Sequence, residues 1–170
     1  KAKYETVIPT YSDFYPPKYE DFGWNQQPTT ISKNEMQKIK KIYNSIQTNN
    51  HPYLFFAIKK LNSIITRKKN DDIIFDTTVA LESLLANDSQ SEIAYRLSTR
   101  GAYLSKLRKF ENFRPHEIKL LLTKMYKYRS AVAHGRTGVE LQKYEIINVQ
   151  GKDVHLLIFG INFLRYVIQF

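Results

Sequence analysis

Asn70-Asp71-Asp72-Ile73-Ile74-Phe75-Asp76-Thr77-Thr78-Val79-Ala80-Leu81-Glu82-Ser83-Leu84-Leu85 is the stretch on which the fold turns. Its apolar residues fall on most sides of a helix rather than on one stripe, the pattern of a helix surrounded by other helices. A helix beginning near Asn70 to Asp72 is therefore expected at the centre of a bundle. The acidic residues Asp71, Asp72 and Asp76 read as a cap followed by the exposed strip of that helix.

Helical signals flank it on both sides. Upstream, Ser32 and Glu35 form a capping-box pattern ahead of Met36, Ile39, Ile42 and Tyr43, which predicts a helix to about Gln47. Asn50, His51 and Pro52 mark a second start, continued by Phe55, Ile58, Leu61 and Ile65. Downstream, Ser89 with Glu92 repeats the capping pattern before Ile93, Leu97, Leu104 and Leu107. Pro115 opens a fifth helix through Ile118, Leu121, Leu122, Met125 and Val132, and Gly135 is its natural stop. Residues 136 to 152 read as a loop with a short extended pair around Tyr144 to Val149, after which Asp153 is expected to cap a last helix. No strand and helix alternate as a parallel sheet would require. The expectation is an all-α bundle of about five to six helices over residues 31–170. Residues 1–30, with most of the prolines, the single Trp24 and scattered tyrosines, read as an irregular arm or linker.

A chain of 170 residues, 42% hydrophobic and 14% aromatic, can build one core. The absence of cysteine excludes disulfides, thiolate metal sites and a cysteine nucleophile, and is compatible with the cytoplasm. The apolar run from Val154 to Phe170 is broken by Asn162 and Arg165 and is shorter than the ~20 residues of a membrane span, so no membrane insertion is expected. The chain begins with Lys1 and stops inside that run, which suggests a piece of a larger protein. A net charge of +10 favours polyanionic partners, because cations that neutralise phosphates release condensed counterions.

The informative residues are charges placed among apolar neighbours. At ~100° per residue, Arg129 falls within ~20° of Ile118, in the apolar stripe of the fifth helix. Arg100 stands seven residues after Ile93 on the fourth helix, and Glu82 lies on the central one. A buried guanidinium costs several kcal/mol unless paired. Pairing of Glu82 with Arg100 is the favoured structural assignment. Arg129 then either competes for Glu82 or faces an anion-receptive cleft or a dimer interface. His134 follows Arg129 by five residues, about 140° around a continuous helix. The two converge only if the helix ends between them or a second copy supplies one of them. A histidine in the last turn feels the negative helix end, which favours its protonated form. His51, His116 and His155 show no metal-ligand spacing, and Gly135-Arg136-Thr137-Gly138 lacks the spacing and lysine of a phosphate loop. No metal or cofactor is expected.

Tyr128-Arg129-Ser130-Ala131-Val132-Ala133-His134-Gly135 resembles the terminal motif of HEPN domains, in which Arg and His stand four to six residues apart. Asp71 to Asp76, Ala80 to Leu85, Tyr95 to Ala102 and Ala57 to Leu61 are similar to the Apea-like subgroup in residue type and order, so the resemblance covers about residues 50 to 136. It implies a helical bundle that pairs as a homodimer and brings two Arg/His sets into one cleft. It further implies a metal-independent endoribonuclease of the toxin or antiviral-defence kind, with Arg129 and His134 as catalytic residues. Ser130 stands where relatives often carry Asn, Asp or His, and could orient either group. Lys124, Lys127 and Arg136 would guide the RNA backbone. A regulatory or inhibitory domain or partner protein is expected to restrain such an activity. The alternatives are an inactive module for RNA binding or dimerisation, and a nucleotide-binding regulator using the same cleft.

Overall fold

The structure is a computed structural model that describes residues 31–48, 51–86 and 91–169. The expected arm over residues 1–30 lies outside the described residues. Contacts divide the chain into two units, Lys1–Lys38 and Ile39–Phe170. The boundary falls within the first helix, α1 (Lys33–Thr48). This helix opens on the capping box read from the sequence: the Glu35 amide donates to Ser32 Oγ at 3.2 Å, and the Ser32 amide to Glu35 Oε2 at 2.8 Å.

The second unit is an all-α bundle of α2 (Pro52–Thr66), α3 (Asn70–Leu85), α4 (Ile93–Leu107), α5 (Pro115–Ala133), the one-turn α6 (Val139–Gln142) and α7 (Leu156–Ile168), with one β-hairpin inserted before α7. The central position expected for α3 is observed: it packs against α2, α4, α5 and α7, and seven of its residues are buried. Among the largest fully buried side chains are Ile74 and Leu81 of α3, Leu97 of α4, Ile118, Leu122 and Met125 of α5, and Phe163 of α7. Two glycines let helices approach closely. A Cβ on Gly101 would lie 2.3 Å from Leu122, and one on Gly160 2.8 Å from Met125, so α4 and α7 both press on α5 where a side chain would intrude.

Several helix ends depart from expectation. The Ser89 cap lies outside the described residues, and α4 starts at Ile93 with Glu92 as its N-cap in a left-handed conformation (φ 55°), not inside the first turn. Asp153 does not cap α7. It lies in β2 (Lys152–His155), which pairs antiparallel with β1 (Ile146–Val149), and α7 begins after His155. The reason is the two-residue turn Gln150-Gly151, whose positive φ angles of 53° and 81° are those of a type I′ hairpin. The hairpin carries the chain two residues past the predicted helix start. Among the described residues no helix is long and apolar enough to cross a membrane.

Candidate functional site

The start and stop of α5 set the geometry of the Arg/His motif. At its start Pro115 occupies the first turn, where a missing N–H costs nothing, and the Arg114 amide donates to Glu117 Oε2 at 2.7 Å. At its end the Gly135 N–H donates to the Val132 carbonyl at 2.9 Å and the Arg136 N–H to the Ala131 carbonyl at 3.1 Å. With Gly135 at φ 76° this is a Schellman termination, and it makes His134 the C-cap. The helix therefore does not end between Arg129 and His134. Their side chains leave opposite faces, and among the described residues nothing joins them within one chain.

Arg129 turns inward. Its guanidinium carbon lies 5.2 Å from the centre of the Phe75 ring and 5.9 Å from that of Tyr126, within reach of the negative faces of both rings. Its Nε is 3.5 Å from Glu82 Oε1, an ion pair without hydrogen-bond geometry, and neither atom has another hydrogen-bond partner. The Arg129 side chain stays 27% exposed, so its outer edge is open to solvent. Burial pushes the Glu82 carboxyl above the ordinary glutamate value, against the opposing pull of Arg129. Phe75 and Tyr126 escaped the sequence reading. Spacing could have found them: Phe75 precedes Glu82 by seven residues on α3 and Tyr126 precedes Arg129 by three on α5, so each shares a face with the charge it flanks.

The pairing of Glu82 with Arg100 is corrected. Arg100 is exposed and meets the last residue of α3, where its Nη1 donates to the Leu85 carbonyl at 2.9 Å. Carbonyls in the last turn of a helix lack intrahelical donors and attract a guanidinium. Glu82 lies a turn earlier, on the face of α3 that meets α5, so Arg129 is the arginine within reach.

The acidic strip of α3 is corrected as well. Asp76 is buried and accepts Lys60 Nζ at 2.6 Å and Arg67 Nε at 3.0 Å, tying α3 to α2 and to the residue that ends it. Asp71 accepts the Tyr128 hydroxyl at 3.0 Å, and burial, reinforced by this bond, raises the phenol above its ordinary value. Tyr128 itself is buried and stacks on Tyr144 at 5.6 Å. The residue before Arg129 thus anchors α5 to the first turn of α3.

The remaining predicted residues are divided by the helix. His134 and Lys127 are exposed and stand seven residues apart, on one face of α5 and about 10 Å apart along its axis. Ser130 and Lys124 are half-buried, and the Ser130 carbonyl accepts the His134 N–H at 3.1 Å. Arg136 is exposed, with Nε 4.0 Å from Glu140 Oε2. The chain therefore presents His134 and Arg136 at the exposed end of α5 and Lys127 two turns earlier, with Arg129 on the opposite face.

Comparison with known proteins finds no matching family model, no matching curated protein and no matching solved structure.

Proposed function

We propose that the chain is a metal-independent endoribonuclease whose site is completed by a second copy, His134 of one protomer meeting Arg129 of the other. The observation that carries this reading is the unbroken helix between the two residues, which leaves an exposed histidine at the helix end and a half-open arginine on the opposite face. The loose hold of Glu82 on Arg129 supports it. A guanidinium kept by ring faces and an ion pair lacking hydrogen-bond geometry would gain from a phosphate the charge-assisted hydrogen bonds that Glu82 does not supply.

In the proposed reaction the RNA 2′-hydroxyl attacks the adjacent phosphorus, the bond to the 5′-oxygen breaks, and a 2′,3′-cyclic phosphate and a 5′-hydroxyl result. His134 transfers the proton, a role typically worth about 10²- to 10⁴-fold, and Arg129 stabilises the charge growing on the phosphate. Lys127 and Arg136 hold the backbone beside it. DNA lacks the attacking hydroxyl and is not cut.

Complementation tests this reading. Arg129→Ala and His134→Ala are each expected to abolish cleavage of single-stranded RNA in EDTA. Mixed and allowed to exchange subunits, they are expected to regain activity, because one of the two sites in the mixed dimer then holds both residues. Silence of the mixture alongside an active parent rules out the shared site, and an inactive folded parent rules out the nuclease. The second outcome favours a non-catalytic interaction module, for which the Glu82–Arg129 ion pair is the supporting observation.

A further inference from the structure

At the other end of α5 the hairpin, the residues before the helix and the first turns of α7 enclose a cleft of about 480 Å³. The 19 residues of α5 span about 28 Å, so this cleft is remote from His134 within one protomer. Its volume falls in the range of small-molecule sites, which combine an apolar floor with a few converging polar groups. The floor here is Phe113, Val149, Val154, Ile158 and Phe159. Phe113 and Phe159 meet edge to face at 5.6 Å, and Phe110 stacks against Phe113 from the protein side, so the aromatic wall is held from behind.

Two features of the rim go beyond a fortuitous hollow. Among the described residues three non-glycine residues have positive φ, and two of them, Glu111 (φ 44°) and Gln150 (φ 53°), line this cleft. Gln150 owes its conformation to the type I′ turn, and at both positions such backbone is held where its surroundings enforce it. Both side chains are tied across the mouth: Asn162 Nδ2 donates to Glu111 Oε1 at 3.3 Å, and Arg114 Nη2 donates to Gln150 Oε1 at 2.7 Å. The rim acids are also engaged. Glu117 is buried against the Arg114 amide, and Asp153 accepts Asn148 Nδ2 at 2.8 Å. Lys152 and His155 line the same cleft, and their side chains form no hydrogen bond or ion pair among the described residues. The charged rim side chain left without a partner among the described residues is therefore Lys152, set beside an aromatic floor.

We propose that this cleft binds a small organic anion, a planar apolar body lying on Phe113, Val154 and Ile158 with its carboxylate or phosphate head on Lys152, which shares a strand face with Val154. The site is independent of the Arg/His motif and of any nuclease activity. A flat aromatic body fits the wall formed by Phe113 and Phe159, and an anionic head pairs with a lysine that has no partner among the described residues.

The full chain, labelled with ¹⁵N, is titrated with 2-naphthoate, 2-naphthyl phosphate and the neutral 2-naphthamide, and amide shifts are followed by NMR. At least one anion is expected to bind saturably, with shifts confined to residues 111–117 and 148–162, and the tighter of the two identifies the head. The neutral amide is expected to bind about tenfold more weakly or worse, the loss of one charge-assisted contact. Lys152→Glu, on an exposed hairpin position, is expected to weaken the anion by tenfold or more while leaving the amide unaffected. The proposal is overturned if neither anion saturates at millimolar concentration, if the shifts map elsewhere, or if amide and anion bind alike. It is overturned equally if Lys152→Glu binds the anion as the parent does.

Discussion

Helix α3 carries two carboxylates six residues apart that meet their cations in opposite ways. Asp76 is buried with two hydrogen-bonded partners, Lys60 and Arg67. Glu82 has one ion pair at 3.5 Å without hydrogen-bond geometry, and its Oε1 is buried and unsatisfied. A desolvated carboxylate is stabilised only when excellent geometry and further hydrogen bonds return what water supplied. Asp76 satisfies that condition and works as a clamp between α2 and α3. Glu82 does not, and its raised proton affinity is the consequence. The difference separates a charge placed to hold the fold from a charge that holds Arg129 only loosely.

The largest expected effect falls on activity. If Arg129 is the anion-binding residue, Arg129→Ala removes RNA cleavage, while Arg129→Lys leaves a small residue of it because lysine lacks the planar two-pronged donor. Gel assays of folded variants decide this, and full activity in Arg129→Ala would reduce the Glu82 pair to a merely structural contact. For stability the order reverses. Asp76→Ala is expected to cost about 2–4 kcal/mol, measured by urea denaturation. It deletes a hydrogen-bonded buried anion, although its cations still reach water and temper the loss. A cost below about 1 kcal/mol would erase the contrast with Glu82.

Tyr128→Phe comes next, at about 1–1.5 kcal/mol, since it removes the hydrogen bond to Asp71 and keeps the ring buried against Tyr144. Smallest is Glu82→Gln, expected within about 1 kcal/mol of the parent near neutral pH. It carries a distinct pH signature. Because folded Glu82 binds its proton more tightly than the ordinary value of 4.5, the folded state holds more protons than the unfolded state just above that pH. The contribution of Glu82 to stability therefore falls as pH rises from about 4.5 through the folded value, and Glu82→Gln should flatten that segment of the profile. Thermal melts of both proteins across this interval check the sign, and an unchanged slope would refute the assignment.

The capping box at Ser32, the proline start at Pro115 and the glycine stop at Gly135 were legible because each is a local backbone requirement with its own residue signature. The apolar surround of α3 was legible for the same reason, since periodicity reports how many sides of a helix are covered. Even the anomaly at Arg129 showed, as a charge out of phase with its stripe. The start of α7 was misplaced because a two-residue turn with Gln150 at positive φ is an unusual choice that local propensity does not favour.

What the sequence by itself determined about this protein is its six longer helices, several of their ends and most of the faces that must be buried; the one-turn α6, in a stretch read as loop, was not among them. Only the tertiary structure decided that Glu82 meets Arg129 instead of Arg100, that Asp76 is buried between Lys60 and Arg67, and that Lys152 and His155 face an aromatic cleft. The physical reason is that helical periodicity fixes the angle at which a side chain leaves its own axis. The partner it meets depends on which helices cross, at what height and in what order, and those relations arise from packing over residues distant in the chain.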